Sequence, residues 1–526
     1  MGLAIILVEC DVTSPEGVTA TLRFSDRAVF PMAPTDAQRP NAVWDERIIE
    51  TPSLRRTLFD DLQTLEPGLG VGDLTLANAD RALDAYQGHV WGEVRVWRWI
   101  YGAPFAEAAS LMRGPASGAP AYDVSAARPG RARLTLFDYR IELERPLQTN
   151  TYAGTNNGTT ILYEGEAALE GAPKPLAFGE LLNAHLPGVV VNAGQQAFQI
   201  HDGPVQTFPT VPALIMNDRG FSAGLHYDGE AASLAAFSTT NPTVDGQTTY
   251  APLGLTRFNF NPVGNVSFSA FGDASDGGYS DKPGPILRKL LKRAGIAEAR
   301  IGASVAALAS NRTVGVYVQD ATKSRDLIAF VARSALAAVL PGRDGVWQAV
   351  AIKPPKAIAD VTLNLDDVLG IEADESAADG AGEFRVGHSR IWTTFRRESL
   401  LPALRGTAEE KALAASYRYF VVEDAAFKAR FAQTWRTLTV ETALRRSSEA
   451  EDLAGDLKAL FGLRADGRPR RRWRVTVEMT DAALAFDLGA TVALATPAVG
   501  GDGRFLLIGE ELMRPRRDQM IWTLWG

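Results

Sequence analysis

Strand-length apolar runs, each closed off by turn residues, constrain this chain more than any other feature of it. Gly2–Val8, Val18–Phe24, Asp73–Leu76, Glu93–Trp99 and Arg133–Phe137 are β-branched or aromatic, and Gly, Pro, Asn and Asp separate them. Arg133-Leu134-Thr135-Leu136 alternates polar and apolar, as a strand with one solvent face should. No run approaches the ~18 apolar residues that a membrane helix needs, so no membrane segment is expected. Gly2–Val8 lacks a basic flank and is interrupted by Glu9 and Asp11, which is wrong for a secretion signal. Ile6 stands where myristoylation needs Ser or Thr. Synthesis in the cytoplasm is the expectation.

A chain of 526 residues should hold several domains. The β pattern of residues 1–150 gives way at 151–275 to a loop-rich β region dense in Gly, Pro, Thr and Asn. Its strands fall at Phe198–Ile200, Ala213–Met216, Arg257–Phe260 and Val266–Phe271. A small α/β domain with a helical connector is expected over 276–430. Its helices are read at Pro285–Ala294 and Lys323–Leu340, its strands at Val314–Gln319 and Gly345–Ile352, and the connector at 401–430. Residues 431–526 read as an amphipathic helix, Ser448–Phe461, followed by strands at Trp473–Met479, Thr491–Leu494, Phe505–Ile508 and Met520–Leu524. A further short helix is predicted at Ser53–Leu65. Two tryptophans in Trp522-Thr523-Leu524-Trp525 predict a C-terminal end docked in a sheet. No internal repeat stands out.

The chemistry of catalysis is sparse. Cys10 is the single cysteine and cannot build a disulfide, a thiolate metal site or an iron–sulfur cluster alone. The five histidines show no metal-binding spacing. His201-Asp202 reads as a turn before Gly203-Pro204. Gly220-Phe221-Ser222-Ala223-Gly224 fits a nucleophile elbow, which places Ser222 between a strand and a helix. The residues that follow, Leu225–Gly229, read as strand and turn. Gly68-Leu69-Gly70-Val71-Gly72 lacks phosphate-loop spacing and reads as the turn before a strand. The paired carboxylates Asp60-Asp61, Glu142 with Glu144, and Asp366-Asp367 read as solvated surface, with Glu142 and Glu144 on one strand face. No catalytic residue, metal ligand or cofactor is assigned, and the chain is read as a non-enzyme. Net charge −8 argues against sequence-independent nucleic-acid binding, whose affinity comes from basic residues on phosphates. The only basic cluster lies within Arg464–Arg474. Arg468, Arg470, Arg471, Arg472 and Arg474 are expected to pair with carboxylates of a neighbouring subunit.

Gly72-Asp73-Leu74-Thr75-Leu76-Ala77-Asn78-Ala79-Asp80, then Leu83-Asp84 and Val94-Arg95-Val96, carry a strand ending in Asn-x-Asp. Arg145–Gly154, Glu164-Gly165, Leu169–Pro175 with Gly179 and Asn183, Phe198–Gly203 and Asp218-Arg219-Gly220 follow in order. These stretches resemble siphophage tail-tip proteins. Leu488–Val492, Phe505–Gly509 and Ile521–Gly526 resemble the closing strands of baseplate hubs, similar to the hub of contractile tails. The resemblance implies an α+β, mainly β, multidomain fold: tube-forming β-barrel-like domains, an inserted β domain and a small α/β domain. It implies a structural hub in the virion's tail tip or baseplate that forms a homotrimer and closes the tail tube. Such a hub meets a hexameric distal tail or tube protein, anchors tail fibres or receptor-binding proteins, and passes DNA without specific binding. The iron–sulfur cluster of some relatives does not carry over to a chain with Cys10 alone. A β-rich carbohydrate-binding adhesin and a hydrolase using Ser222 or a carboxylate pair are the competing readings.

Overall fold

The computed structural model describes residues 2–27, 30–53, 55–61, 64–125, 128–207, 214–222, 226–260, 264–373, 380–464, 466–495, 503–513 and 518–526. The fold is α+β and mainly β.

The N-terminal sheet contains β1 (Ala4–Thr13), β2 (Thr19–Ser25), β3 (Val43–Glu46), β4 (Ile48–Glu50), β6 (Val71–Ala77), β7 (Val90–Ile100), β8 (Ala109–Gly118) and β9 (Arg128–Phe137). Its order is β3-β2-β1-β7-β8-β9-β6-β4, with the two-residue strand Phe30–Pro31 pairing beyond β3 and Ala121–Ser125 pairing β9. The two ends of that path are joined by a single residue, Arg47. Laid flat, the end strands would stand ~34 Å apart at about 4.8 Å per strand spacing. Two residue steps of chain reach only ~7 Å. The sheet must therefore curl into a barrel. Arg47 laces the seam: its N–H donates to the Ser25 carbonyl at 3.2 Å, and its carbonyl accepts from Ala77 N–H at 2.6 Å.

The C-terminal sheet runs β10 (Val361–Asn364), β13 (Thr491–Ala495), β14 (Gly503–Met513), β15 (Gln519–Trp525), β12 (Arg472–Glu478), β11 (Val368–Ala373). Its edge strands β10 and β11 are joined by Leu365–Asp367, a turn fixed by reciprocal capping between Asn364 and Asp367. Four residue steps reach ~14 Å, and six flat strands would need ~24 Å, so this sheet also curls.

The two barrels share one topology. In the first, β4 pairs β6, then β9, β8 and β7, all antiparallel. In the second, β11 pairs β12, then β15, β14 and β13, all antiparallel. The closing strand is parallel to its neighbour in both, β3 on β2 and β10 on β13. The first barrel adds the hairpin β1–β2 and the short strands Phe30–Pro31 and Ala121–Ser125; the hairpin, as an antiparallel pair, leaves the sense of the closing strand unchanged.

The likeness extends to the chain. Strands β6 and β12 lie 401 positions apart, and so do the starts of β7 and β13. At that offset Thr75, Asp80, Ala82, Leu83 and Gly88 match Thr476, Asp481, Ala483, Leu484 and Gly489. Leu83 and Leu484 are both buried. Gly88 and Gly489 both hold positive φ, 82° and 90°, which only glycine adopts without strain. A short helical turn, Ala82–Tyr86 or Asp481–Leu484, occupies each connection. Asn78 shapes the first: its Oδ1 accepts from Leu83 N–H at 2.9 Å and its Nδ2 donates to Asp84 at 2.8 Å. This is the physical content of the Asn-x-Asp stretch.

Between the barrels lie two five-stranded sheets. One is built on Leu176–Leu186 and the other on Ala197–Gln199 and Leu255–Phe258. They share a core of Leu181, Phe198, Met216, Phe258 and Phe268. Helices α1 (Pro283–Arg293) and α2 (Ser324–Ser334) pack on each other, and α3 (Ser447–Phe461) covers a three-stranded sheet of Glu383–His388, Arg418–Glu423 and Thr437–Glu441. Phe461, at the end of α3, touches Phe59 at 5.9 Å and Trp525 at 5.6 Å, tying the two barrels to the middle.

Four local expectations are corrected. The helix predicted at Ser53–Leu65 is a strand, β5 (Arg55–Thr57), because β14 outruns the short β13 and offers its ladder to Arg55–Thr57. The Lys323–Leu340 helix stops at Ser334: Leu336 turns left-handed (φ 51°), and Ala337–Pro341 pairs with Trp347–Ala351. The 401–430 connector is not all helix, since Arg418–Glu423 is a strand. Glu142 and Glu144 lie on a 3-10 turn, Tyr139–Glu144, capped by Asp138, rather than on a strand face. The docked C-terminal strand is present: β15 pairs on both sides, and Trp522 and Trp525 are fully buried.

Candidate assembly surfaces

A buried ion cluster joins the barrels. Glu510 on β14 is 2% exposed. Arg56 on β5 donates to it at 2.5 Å and to Asp487 at 3.1 Å. Arg343, on the turn between Ala337–Pro341 and Trp347–Ala351, donates to Glu510 at 3.0 Å through Nε and again through Nη2. Arg343 also donates to the carbonyls of Leu484 (2.6 Å) and Phe486 (3.0 Å), and its own carbonyl accepts from Ser110 Oγ at 2.9 Å. Burial pushes the Glu510 carboxyl up, but the Arg343 and Arg56 guanidiniums outweigh it and hold the carboxyl at about 2. Beside this cluster Arg98, near the end of β7, bonds Asp481 at 2.6 Å and Asp518 at 3.2 Å. Arg98 of the first barrel thus meets carboxylates of the second, while Arg56 on β5 and Arg343 on the intervening turn hold Glu510.

The arginine run between α3 and β12 is spread over two faces. Arg468, Arg471 and Arg474 are exposed, and Arg470 and Arg472 are half-buried. Arg474 on β12 pairs with Glu511 of this same chain at 3.3 Å. Arg470 donates to the Ala459 carbonyl at 2.6 Å. Arg464 and Arg504, which the sequence did not single out as a pair, lie with Arg470 around an open hollow of about 730 Å³ floored by Pro354, Pro355 and Leu494. Burial, and then the neighbouring Arg464, lower the Arg470 pKa. Among the described residues no carboxylate comes within 4.0 Å of Arg470 or Arg504, while Arg464 has only Asp466 at 3.6 Å.

Several of the residues weighed for catalysis have structural partners. Ser222 ends a two-residue strand on Leu214–Asp218; residues 223–225 lie outside the described residues, and the chain resumes as a strand, His226–Glu230. His201 is fully buried, with Nδ1 accepting from Ala177 N–H at 2.9 Å and Nε2 lying 3.4 Å from Asp273. Asp273 in turn accepts from Lys289 at 2.7 Å. Asp202 faces away and accepts from Asn150 (2.9 Å), Gln148 (3.1 Å) and Arg293 (3.1 Å). The stretches Arg145–Gly154 and Phe198–Gly203 therefore meet in one joint. Glu142 pairs with Arg300 at 3.1 Å, and Glu144 with Lys323 and Arg325 at 2.8 and 2.5 Å. Asp60 accepts from Thr57 at 2.9 Å, and Asp367 caps the β10–β11 turn. Cys10 is fully buried, and burial holds its thiol in the protonated form. Among the described residues no group of three metal-ligating side chains converges, and no helix is long and apolar enough to cross a membrane.

No family model and no curated protein sequence matches the chain. Solved structures do. The 43 kDa tail protein of prophage MuSo2 from Shewanella oneidensis matches at 10% identity and TM-score 0.40, covering 98% of each chain. A tail protein from Neisseria meningitidis MC58 matches at 11% and 0.40, covering 99% of this chain and 96% of that one. Prophage tail protein gp18 from Listeria monocytogenes EGD-e matches at 8% and 0.39, covering 100% and 94%.

Proposed function

We propose that the chain is a structural ring subunit of a phage-type tail, a baseplate hub acting as a homotrimer. One observation carries the reading: a single chain contains two barrels of the same strand order, strand sense and closing device. A ring closes by repeating one heterologous contact around an axis. Three chains with two like barrels each would present six similar units, enough to face a hexameric distal tail or tube protein. The contact already visible inside the chain, Arg98 of the first barrel on Asp481 and Asp518 of the second, is the kind a ring repeats.

In this reading the N-terminal barrel, within 1–150, and the C-terminal barrel line the channel. The C-terminal barrel unites the strands at 472–525, within 431–526, with β10 and β11. The region 151–275 and the rest of 276–430 project and anchor tail fibres or receptor-binding proteins. DNA passes without specific binding, in keeping with the net charge of −8. The exposed Arg468 and Arg471 face a neighbouring protein. The chain would be made in the host cytoplasm and reside in the virion. Native mass spectrometry of the purified chain tests this. A three-copy mass is expected, and a monomer at all concentrations overturns the reading.

A further inference from the structure

The shared topology makes the intrachain contact a template for the contact between chains. Inside the chain, the end of the third repeat strand (Arg98 on β7) meets the connection before the other barrel's third strand, where Asp481 sits, and Ser110 at the start of the fourth bonds Arg343, which donates to Leu484 and Phe486 of that connection. Advance this relation by one barrel. The corresponding surface of the second barrel is the end of β13 and the start of β14. The arginine hollow lies there, lined by Ala493, Leu494, Gly503 and Arg504. The corresponding connection of the first barrel is 78–89, and Asp80 stands where Asp481 stands, 401 positions earlier.

We infer that the hollow of Arg464, Arg470 and Arg504 receives the Asp80 connection of a second copy of this chain. The inference rests on the ring reading and deepens it by naming the contacting residues. Charge and shape agree with it. The hollow carries three guanidiniums, and Asp466 is the one carboxylate within ion-pair distance of them among the described residues. Arg470 is half-buried beside Arg464, and its Nε has no hydrogen-bond partner there. Half-buried cations of like charge are costly until a carboxylate arrives. Asp80 is 55% exposed at its side chain and already shared with Arg47 at 2.7 Å. Its counterpart Asp481, 74% exposed, meets Arg98 in the same exposed setting. A carboxylate accepts more than one guanidinium, so the Arg47 bond can persist. The apolar floor of Pro354, Pro355 and Leu494, with Ile358 83% exposed beside it, fits an apolar centre rimmed by arginine in a protein interface.

The test uses the full chain and starts from the wild-type mass. Asp80→Cys and Arg504→Cys chains are made separately, mixed and oxidised; the native Cys10 is buried and stays out of the reaction. A covalent dimer is expected in the mixture and in neither chain alone. Asp80→Arg should weaken association about tenfold or more, and Asp80→Arg with Arg504→Asp should restore it. A wild-type trimer whose association ignores these charges, and whose mixed cysteine chains do not cross-link, overturns this contact and leaves the ring reading standing. A wild-type chain that stays monomeric overturns both.

Discussion

The two barrels reach one topology by different routes. The first is continuous: its strands fall between Ala4 and Phe137. The second is split, with β10 and β11 at 361–373 and the rest at 472–525. Between them the chain builds the three-stranded sheet and α3. A continuous barrel is assembled from near neighbours, whereas a split one must close a long loop before its edges meet, at an entropic cost that grows slowly with length. The split barrel should therefore depend more on contacts from elsewhere. It receives them from β5, from Arg343 and Arg56, and from the Trp525 indole, which donates to the Leu460 carbonyl at 3.0 Å.

The largest blow to this difference is deletion of Gln519–Gly526. It removes β15 from between β14 and β12, with Trp522 and Trp525, each worth ~3–5 kcal/mol when truncated in a core. The second barrel should become protease-sensitive while the first stays resistant. An unchanged melting curve and digestion pattern would show that the barrels do not differ in this way.

Next comes Glu510→Gln, which leaves Arg56 and Arg343 buried without their carboxylate and should cost ~3–5 kcal/mol by chemical denaturation. Acid should mimic it. The Glu510 carboxyl is held below its unfolded value, so its contribution is complete above pH ~4.3, the unfolded carboxyl value, and is lost as pH falls toward about 2. The Gln variant should lose its extra acid sensitivity in this window. A variant as stable as the wild type at pH 7 would remove the cluster from the account.

Much of this fold was legible beforehand because strand runs and turn residues are local signals. β7, β9, β12, β13 and β15 and the helix α3 fall where alternation and helical spacing put them. What stayed hidden was non-local. Arg55–Thr57 is too short and polar to announce a strand, and becomes one only because β14 has an unfilled ladder. The repeat is faint in the sequence because what persists over 401 positions is a pattern of burial, with Leu74 and Leu76 matching Val475 and Val477, together with a Thr, an Asp, an Ala, a Leu and a Gly. The arginine hollow combines Arg464, Arg470 and Arg504, and the last comes from a strand that only folding brings near.

The repeat gives finer comparisons. Leu83→Ala and Leu484→Ala should each cost about 2–4 kcal/mol, a little less for Leu484, which is 9% exposed against 3%. Costs differing by several kcal/mol would mean that the two connections do not do the same work. Smaller still, Gly88→Ala should cost ~1 kcal/mol through its positive φ alone, since nothing lies within 4 Å of an added methyl. Gly489→Ala should cost more, because its methyl would also meet Val350 at 2.6 Å. Melting temperatures of the pair decide the order.

The central claim is that the two barrels are equivalent units of one ring, and electron microscopy of the assembled tail end tests it most directly. The account predicts three copies around the axis, with a ~60° rotation carrying each N-terminal barrel onto a C-terminal one and the Asp80 connection seated at Arg504 of the next chain. A single copy at the tip, or three copies whose barrels lie at different radii and do not superpose on that rotation, would contradict it.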